Sequence, residues 1–122
     1  MHPPIDFRQA AQKAIDILAA QPVVPDSPGE ADAAQCRYCT AAAIVKAGER
    51  LLGRDTGLDD AVRDGSSEGV IQRFVAMGWD EALGRRIMEL NDREDPANRK
   101  GRMILYLSEL CSAREETAPG EK

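Results

Sequence analysis

From Cys39 to Val45 the chain reads Cys-Thr-Ala-Ala-Ala-Ile-Val, and a helix with so little polarity on any side has to be surrounded by the rest of its molecule. No other stretch limits the fold as much. Aromatic residues make up only 4% of the chain, so Ala, Leu, Ile and Val must fill the core, and small side chains of this kind suit helices that pack closely. The prediction is an all-α, compact single-domain bundle of about five helices with this run at its centre. A length of 122 residues fits one domain over 1–122, and neither an internal repeat nor an alternating apolar pattern long enough for a sheet is present.

The other elements follow from punctuation and periodicity. Asp6 and Gln9 form a capping-box pattern, in which Asp6 accepts from the amide three residues on and Gln9 reaches back. Phe7, Ala11, Ala14, Ile15 and Leu18 then recur on one helical face. Residues 21–34 hold three prolines and a glycine and are expected to form a surface loop. The second helix is predicted over Gln35 to Leu52, stopped by Gly53. Residues 54–65 read as a polar loop with room for one short turn of helix.

Ser66 or Ser67 is the expected cap of a third helix carrying Val70, Ile71, Phe74 and Val75 and ending at Gly78. Asp80 is an expected cap for a fourth, whose stripe is Trp79, Leu83, Ile87 and Leu90. Asp95-Pro96 starts a fifth, with Met103, Ile104, Leu107, Leu110 and Cys111 on one face through about Arg114. Residues 1–5 and 115–122 are expected to be flexible. Trp79, the sole tryptophan, reads as a packing anchor at the head of the fourth helix, with an interface role as the alternative.

A net charge of -5 opposes general affinity for nucleic acid or anionic membranes. The basic clusters Arg85-Arg86 and Arg99-Lys100 with Arg102 have acidic neighbours and no interleaved aromatic residues, so solvated helix faces account for them. No apolar run approaches the roughly 20 residues of a membrane span, and the start Met1-His2-Pro3-Pro4 lacks a secretory pattern, which places the expected location in the cytoplasm. Three cysteines without an export signal are expected to be reduced.

Cys36-Arg37-Tyr38-Cys39 has several readings. Cysteines three apart near a helix N-terminus share a face, and exposed amides there stabilise a thiolate, which suits a redox pair of Cys36 and Cys39. Small core residues are the competing reading, because free Cys is among the most buried residue types. A zinc site lacks a second ligand pair, since only Cys111 and His2 remain, and no metal or other cofactor is expected. A thiol hydrolase would need His2, the only imidazole, to fold back over the domain. Cys36-Arg-Tyr-Cys39-Thr-Ala-Ala-Ala43 also resembles the helical Cys-x-x-Cys of alkylhydroperoxidase-like proteins of the carboxymuconolactone decarboxylase superfamily. Ala43 stands here where that family usually has its proton-transfer His.

Leu90-Asn91-Asp92-Arg93-Glu94-Asp95-Pro96 joins the last two predicted helices. Asn91 and Asp92 can be helix caps or can bind a cation, an amine or a partner backbone. Tyr38-Cys39-Thr-Ala-Ala-Ala43-Ile44, followed by Ile87-Met-Glu-Leu90-Asn91-Asp92, resembles a family of small bacterial and phage helical proteins of unknown function. Their motifs are Trp-Cys-x-x-Gly-Ala and Trp-Asn-Asp, and here Tyr38, Ala42 and Leu90 replace Trp, Gly and Trp. The resemblance implies an all-helical domain in which Cys39 lies near Asn91 and Asp92, and it carries no activity.

The absence of a complete acid-base or metal constellation favours a non-enzymatic interaction or regulatory module that binds a protein partner or self-associates. The alternative is a thiol-dependent redox protein using Cys36 and Cys39. A small-ligand pocket bounded by Cys39, Asn91 and Asp92 is a third reading.

Overall fold

The computed structural model describes residues 6–22, 24 and 38–120, with side chains through Ser112. Six helices and no strand occur among them: α1 (Phe7–Ala20), α2 (Thr40–Leu52), α3 (Leu58–Arg63), α4 (Ser67–Ala76), α5 (Glu81–Arg93) and α6 (Pro96–Gly120). The fold is therefore all-α, with α3 inside the stretch that reads as a polar loop with room for one short turn. None of the described helices is long and apolar enough to cross a membrane.

The Ala-rich run takes the centre. Thr40, Ala41, Ala42, Ala43, Ile44 and Val45 of α2 are all 0% exposed, and α2 packs against α1, α3, α4 and α5. α1 lies between α2 and α6, burying Phe7, Ala10, Ala11, Ala14, Ile17 and Leu18. Alanine on both partners suits the close packing of α1 on α2, while three aromatic rings cluster beside the start of α1. There Phe7, Phe74 and Trp79 meet edge to face with ring centroids 5.1 to 6.1 Å apart, the favoured geometry for aromatic quadrupoles. Two glycines admit these rings. A Cβ on Gly84 would come within 2.9 Å of the Phe74 ring, and one on Gly48 within 3.1 Å of Trp79.

Several boundaries differ from expectation for identifiable reasons. α2 begins at Thr40 rather than Gln35, with Cys39 as an extended N-cap residue, and the Gln35 to Arg37 part of that prediction lies outside the described residues. A helix running through Tyr38 would use the Tyr38 carbonyl for the amide of Ala42. The Gln21 side chain takes that carbonyl, donating from Nε2 at 3.1 Å, and also accepts from the Tyr38 amide. The first α2 bond instead runs from the Ala43 amide to the Cys39 carbonyl at 2.8 Å.

At the start of α1, the Asp6 carboxylate accepts from Arg8, two residues on, instead of from Gln9. Ser66 caps α4 by accepting from Gly69, and Gly53, left-handed at φ 68, ends α2. α6 continues to Gly120, beyond the apolar face that ends near Arg114, because Arg114, Glu115 and Glu116 are good helix formers without that face. The expected loop over 21–34 and the flexibility of residues 1–5 fall mostly or wholly outside the described residues.

Candidate functional site

The start of a helix leaves backbone amides without partners, and the apolar sequence of α2 offers no side chain of its own to take them. The partner comes from another helix. Asn91, on the last turn of α5, is 0% exposed, and its Oδ1 accepts from the Thr40 amide at 3.1 Å and from the Thr40 hydroxyl. Its Nδ2 donates to Asp92 at 3.3 Å. Asn91 is thus a cap, but of α2 across the core and not of its own helix. The buried face of α5 is Gly84, Ile87, Met88 and Asn91, so Asn91 occupies a stripe position that the Leu83-Ile87-Leu90 reading left outside the core.

Cys39 sits at this junction with no exposed surface. Burial pushes its thiol up to about 12, with the Asp92 carboxylate adding to the rise, while the amides of Ala42 and Ala41 pull the other way. Helix amides near a thiol normally favour thiolate, but here the loss of water outweighs them. Cys39 is also outside α2, so the shared helix face required for a Cys36/Cys39 pair does not form on α2; Cys36 itself lies outside the described residues. Cys111 is buried as well, its thiol facing the Arg8 carbonyl at 3.8 Å.

The three residues of the ligand-pocket reading therefore come close together without sharing an open surface. Cys39 and Asn91 are sealed, and Asp92 is exposed beside a shallow depression bordered by Arg85, Arg86 and Glu89. Among the described residues no group of three or more His, Cys, Asp or Glu side chains is placed to hold a metal ion.

Two basic side chains that the sequence places on a solvated face complete the junction. Arg99, assigned above to a solvated face, is 4% exposed and donates to the carbonyls of Asn91 at 2.7 Å, Val24 at 3.0 Å and Glu94 at 3.0 Å. Lys100 donates to the Gln21 carbonyl at 2.6 Å. The reason for the correction is local: α5 ends at Arg93, α6 begins at Pro96, and a guanidinium on the first turn of α6 reaches the carbonyls left open by α5. The sequence signal was weak, an Arg within a basic cluster, three positions after a Pro helix start.

On the other side of α2, Glu49 is 5% exposed and accepts from the Thr56 amide at 2.8 Å, fixing the turn into α3. Tyr38 donates to Asp59 at 2.9 Å, and Lys46 lies 3.2 Å from the same carboxylate. Arg85 does belong to a solvated face. It bonds Glu68 through both terminal nitrogens and holds that exposed carboxyl below its usual range, while also pairing with Glu81.

Apolar surface collects at one other place. Between the end of α5 and the first half of α6, Leu90, Met103, Leu105 and Tyr106 line a groove of about 260 Å³, edged by Glu94, Arg102 and Glu109. Leu105 is 55% exposed, more than any other large apolar residue described.

Comparison with models of known protein families, with curated proteins and with solved structures finds no match to this chain.

Proposed function

We propose that the protein is a non-enzymatic helical module that acts by binding protein surfaces. The observation that carries the proposal is the commitment of its buried polar side chains to its own backbone. Asn91 holds the start of α2, Arg99 holds three carbonyls, Gln21 holds Tyr38 and Glu49 holds Thr56. A catalytic site keeps polar groups poised toward an open volume where a substrate can enter, and these groups face inward instead. Cys39, the nucleophile that a redox reading requires, is buried as a neutral thiol. The side chains left for recognition are those at the surface, where Leu105 is the most exposed large apolar group described.

The test combines affinity capture on the purified chain with light scattering of the chain alone, both repeated with Leu105→Glu. The expected result is self-association or a reproducible partner that the substitution removes. A chain that neither self-associates nor retains any partner overturns the proposal. Peroxide consumption abolished by Cys39→Ser would do the same in favour of thiol chemistry.

A further inference from the structure

We infer that the partner of the exposed α6 face is a second copy of this chain, docked antiparallel across α6 about a two-fold axis between Leu105 and Tyr106. The inference rests on the module reading above and supplies its partner.

Gly101, Arg102, Leu105, Ser108, Glu109 and Ser112 are all exposed and recur at helical spacing, so α6 presents one continuous outer face opposite Met103, Leu107 and Cys111. Arg102 and Glu109 carry opposite charge on that face. They stand two turns apart, about 10 Å along the axis at 1.5 Å per residue, too far to pair with each other. Neither makes an ion pair or side-chain hydrogen bond among the described residues, unlike Arg85 and Arg93, which pair with carboxylates one turn away.

The symmetry follows from the numbering. In an antiparallel pair of identical helices, two positions face each other when their midpoint lies on the axis. The midpoint of 102 and 109 falls between 105 and 106, so an axis there sets each Arg102 against the other copy's Glu109, twice. The same axis places Leu105, the most exposed large apolar residue described, at the centre of the contact, with Tyr106 and Leu90 of the groove beside it. An apolar centre with a charged rim is the ordinary anatomy of a protein interface. A parallel pairing would oppose Arg102 to Arg102 and Glu109 to Glu109.

Gly101 adds an independent observation. A Cβ built on it meets no described residue within 4 Å, so their packing gives no reason for glycine in the second turn of a helix, where it is unfavourable relative to alanine. Between two helices a glycine lets backbones approach, and Gly101 and Ser108 bracket Leu105 on the outer face.

Sedimentation velocity and light scattering of the full chain over a wide concentration range test the inference. The expected species is a reversible dimer. Leu105→Glu should weaken it by roughly a hundredfold or more, because the charge is buried at the centre in both copies. Arg102→Glu or Glu109→Arg alone should weaken it by about tenfold, since each places like charges opposite at two symmetric contacts. The double variant restores both pairs, so it should return to within about threefold of the original affinity. All of these positions are exposed, and an unchanged helical circular dichroism spectrum verifies the fold.

A chain that stays monomeric into the millimolar range overturns the inference, as does a dimer indifferent to Leu105→Glu. A double charge reversal as damaging as the two single changes combined overturns the antiparallel pairing. If the chain is monomeric yet captures a different protein in a Leu105-dependent way, the second-copy inference fails while the module reading stands.

Discussion

Cys39 shows how a side chain suited to reactivity becomes a neutral packing group. Burial pushes its thiol up to about 12 from the ordinary value of 9.0, which the unfolded chain regains. Below the unfolded value both states hold the proton and the thiol has no effect on pH dependence. Above it the unfolded state alone releases a proton, so stability falls as pH rises from about 9 toward 12. The contribution of this one thiol approaches about 1.4 kcal/mol per pH unit, and chemical denaturation at pH 8 and about pH 10.5 should show a steeper loss of stability in the natural chain than in Cys39→Ala. Alkylation of Cys39 in the native state should correspondingly be far slower than in denaturant. Asn91 is the second decisive residue. Asn91→Ala strips the Thr40 amide and hydroxyl of a buried acceptor and should cost about 2 to 3 kcal/mol in denaturant unfolding, more than the loss of an exposed cap. These two residues also mark what the sequence allowed. It identified Cys39 and Asn91-Asp92 as places of interest, but their partners lie 51 positions apart for Thr40 and Asn91, a separation that no local pattern encodes.

At the scale of elements, glycines in helices with different neighbours predict opposite signs. Gly84→Ala forces a methyl to within 2.9 Å of the Phe74 ring and should destabilise the fold by about 1 to 3 kcal/mol. Gly101→Ala meets no described residue within 4 Å and should stabilise an isolated monomer by about 0.5 to 1 kcal/mol, the ordinary helix-propensity gain. Paired denaturation curves under monomeric conditions separate the two. Helix positions were largely legible, because Ser66, Gly53, Gly78 and Pro96 are local stop and start signals that act within a turn. The start of α2 was not, since its limit is set by Gln21 reaching over to Tyr38. Arg99 escaped for the same reason: a solvated guanidinium and one that binds three carbonyls have identical local sequence, and only the approach of α5, α6 and Val24 distinguishes them.

For the whole molecule, dimerisation through α6 would make thermal stability depend on chain concentration, because association removes folded monomer from the unfolding equilibrium. The melting midpoint of the natural chain should rise with concentration, whereas that of Arg102→Glu should rise much less over the same range; differential scanning calorimetry gives both. The architecture as a whole was the most legible level. An Ala-rich run with no polar face leaves few arrangements besides a helix surrounded by helices, and that constraint needs no knowledge of partners. The proposed surface role was the least legible, since the outer face carrying Arg102, Leu105 and Glu109 is defined only once the opposite face of α6 is seen to be occupied by α1. The meeting of Phe7, Phe74 and Trp79 has a practical corollary. As the chain has one indole, held 6% exposed where α1, α4 and the start of α5 converge, its intrinsic fluorescence reports tertiary packing at a single known point, and each folding experiment described above has a built-in optical signal without any label.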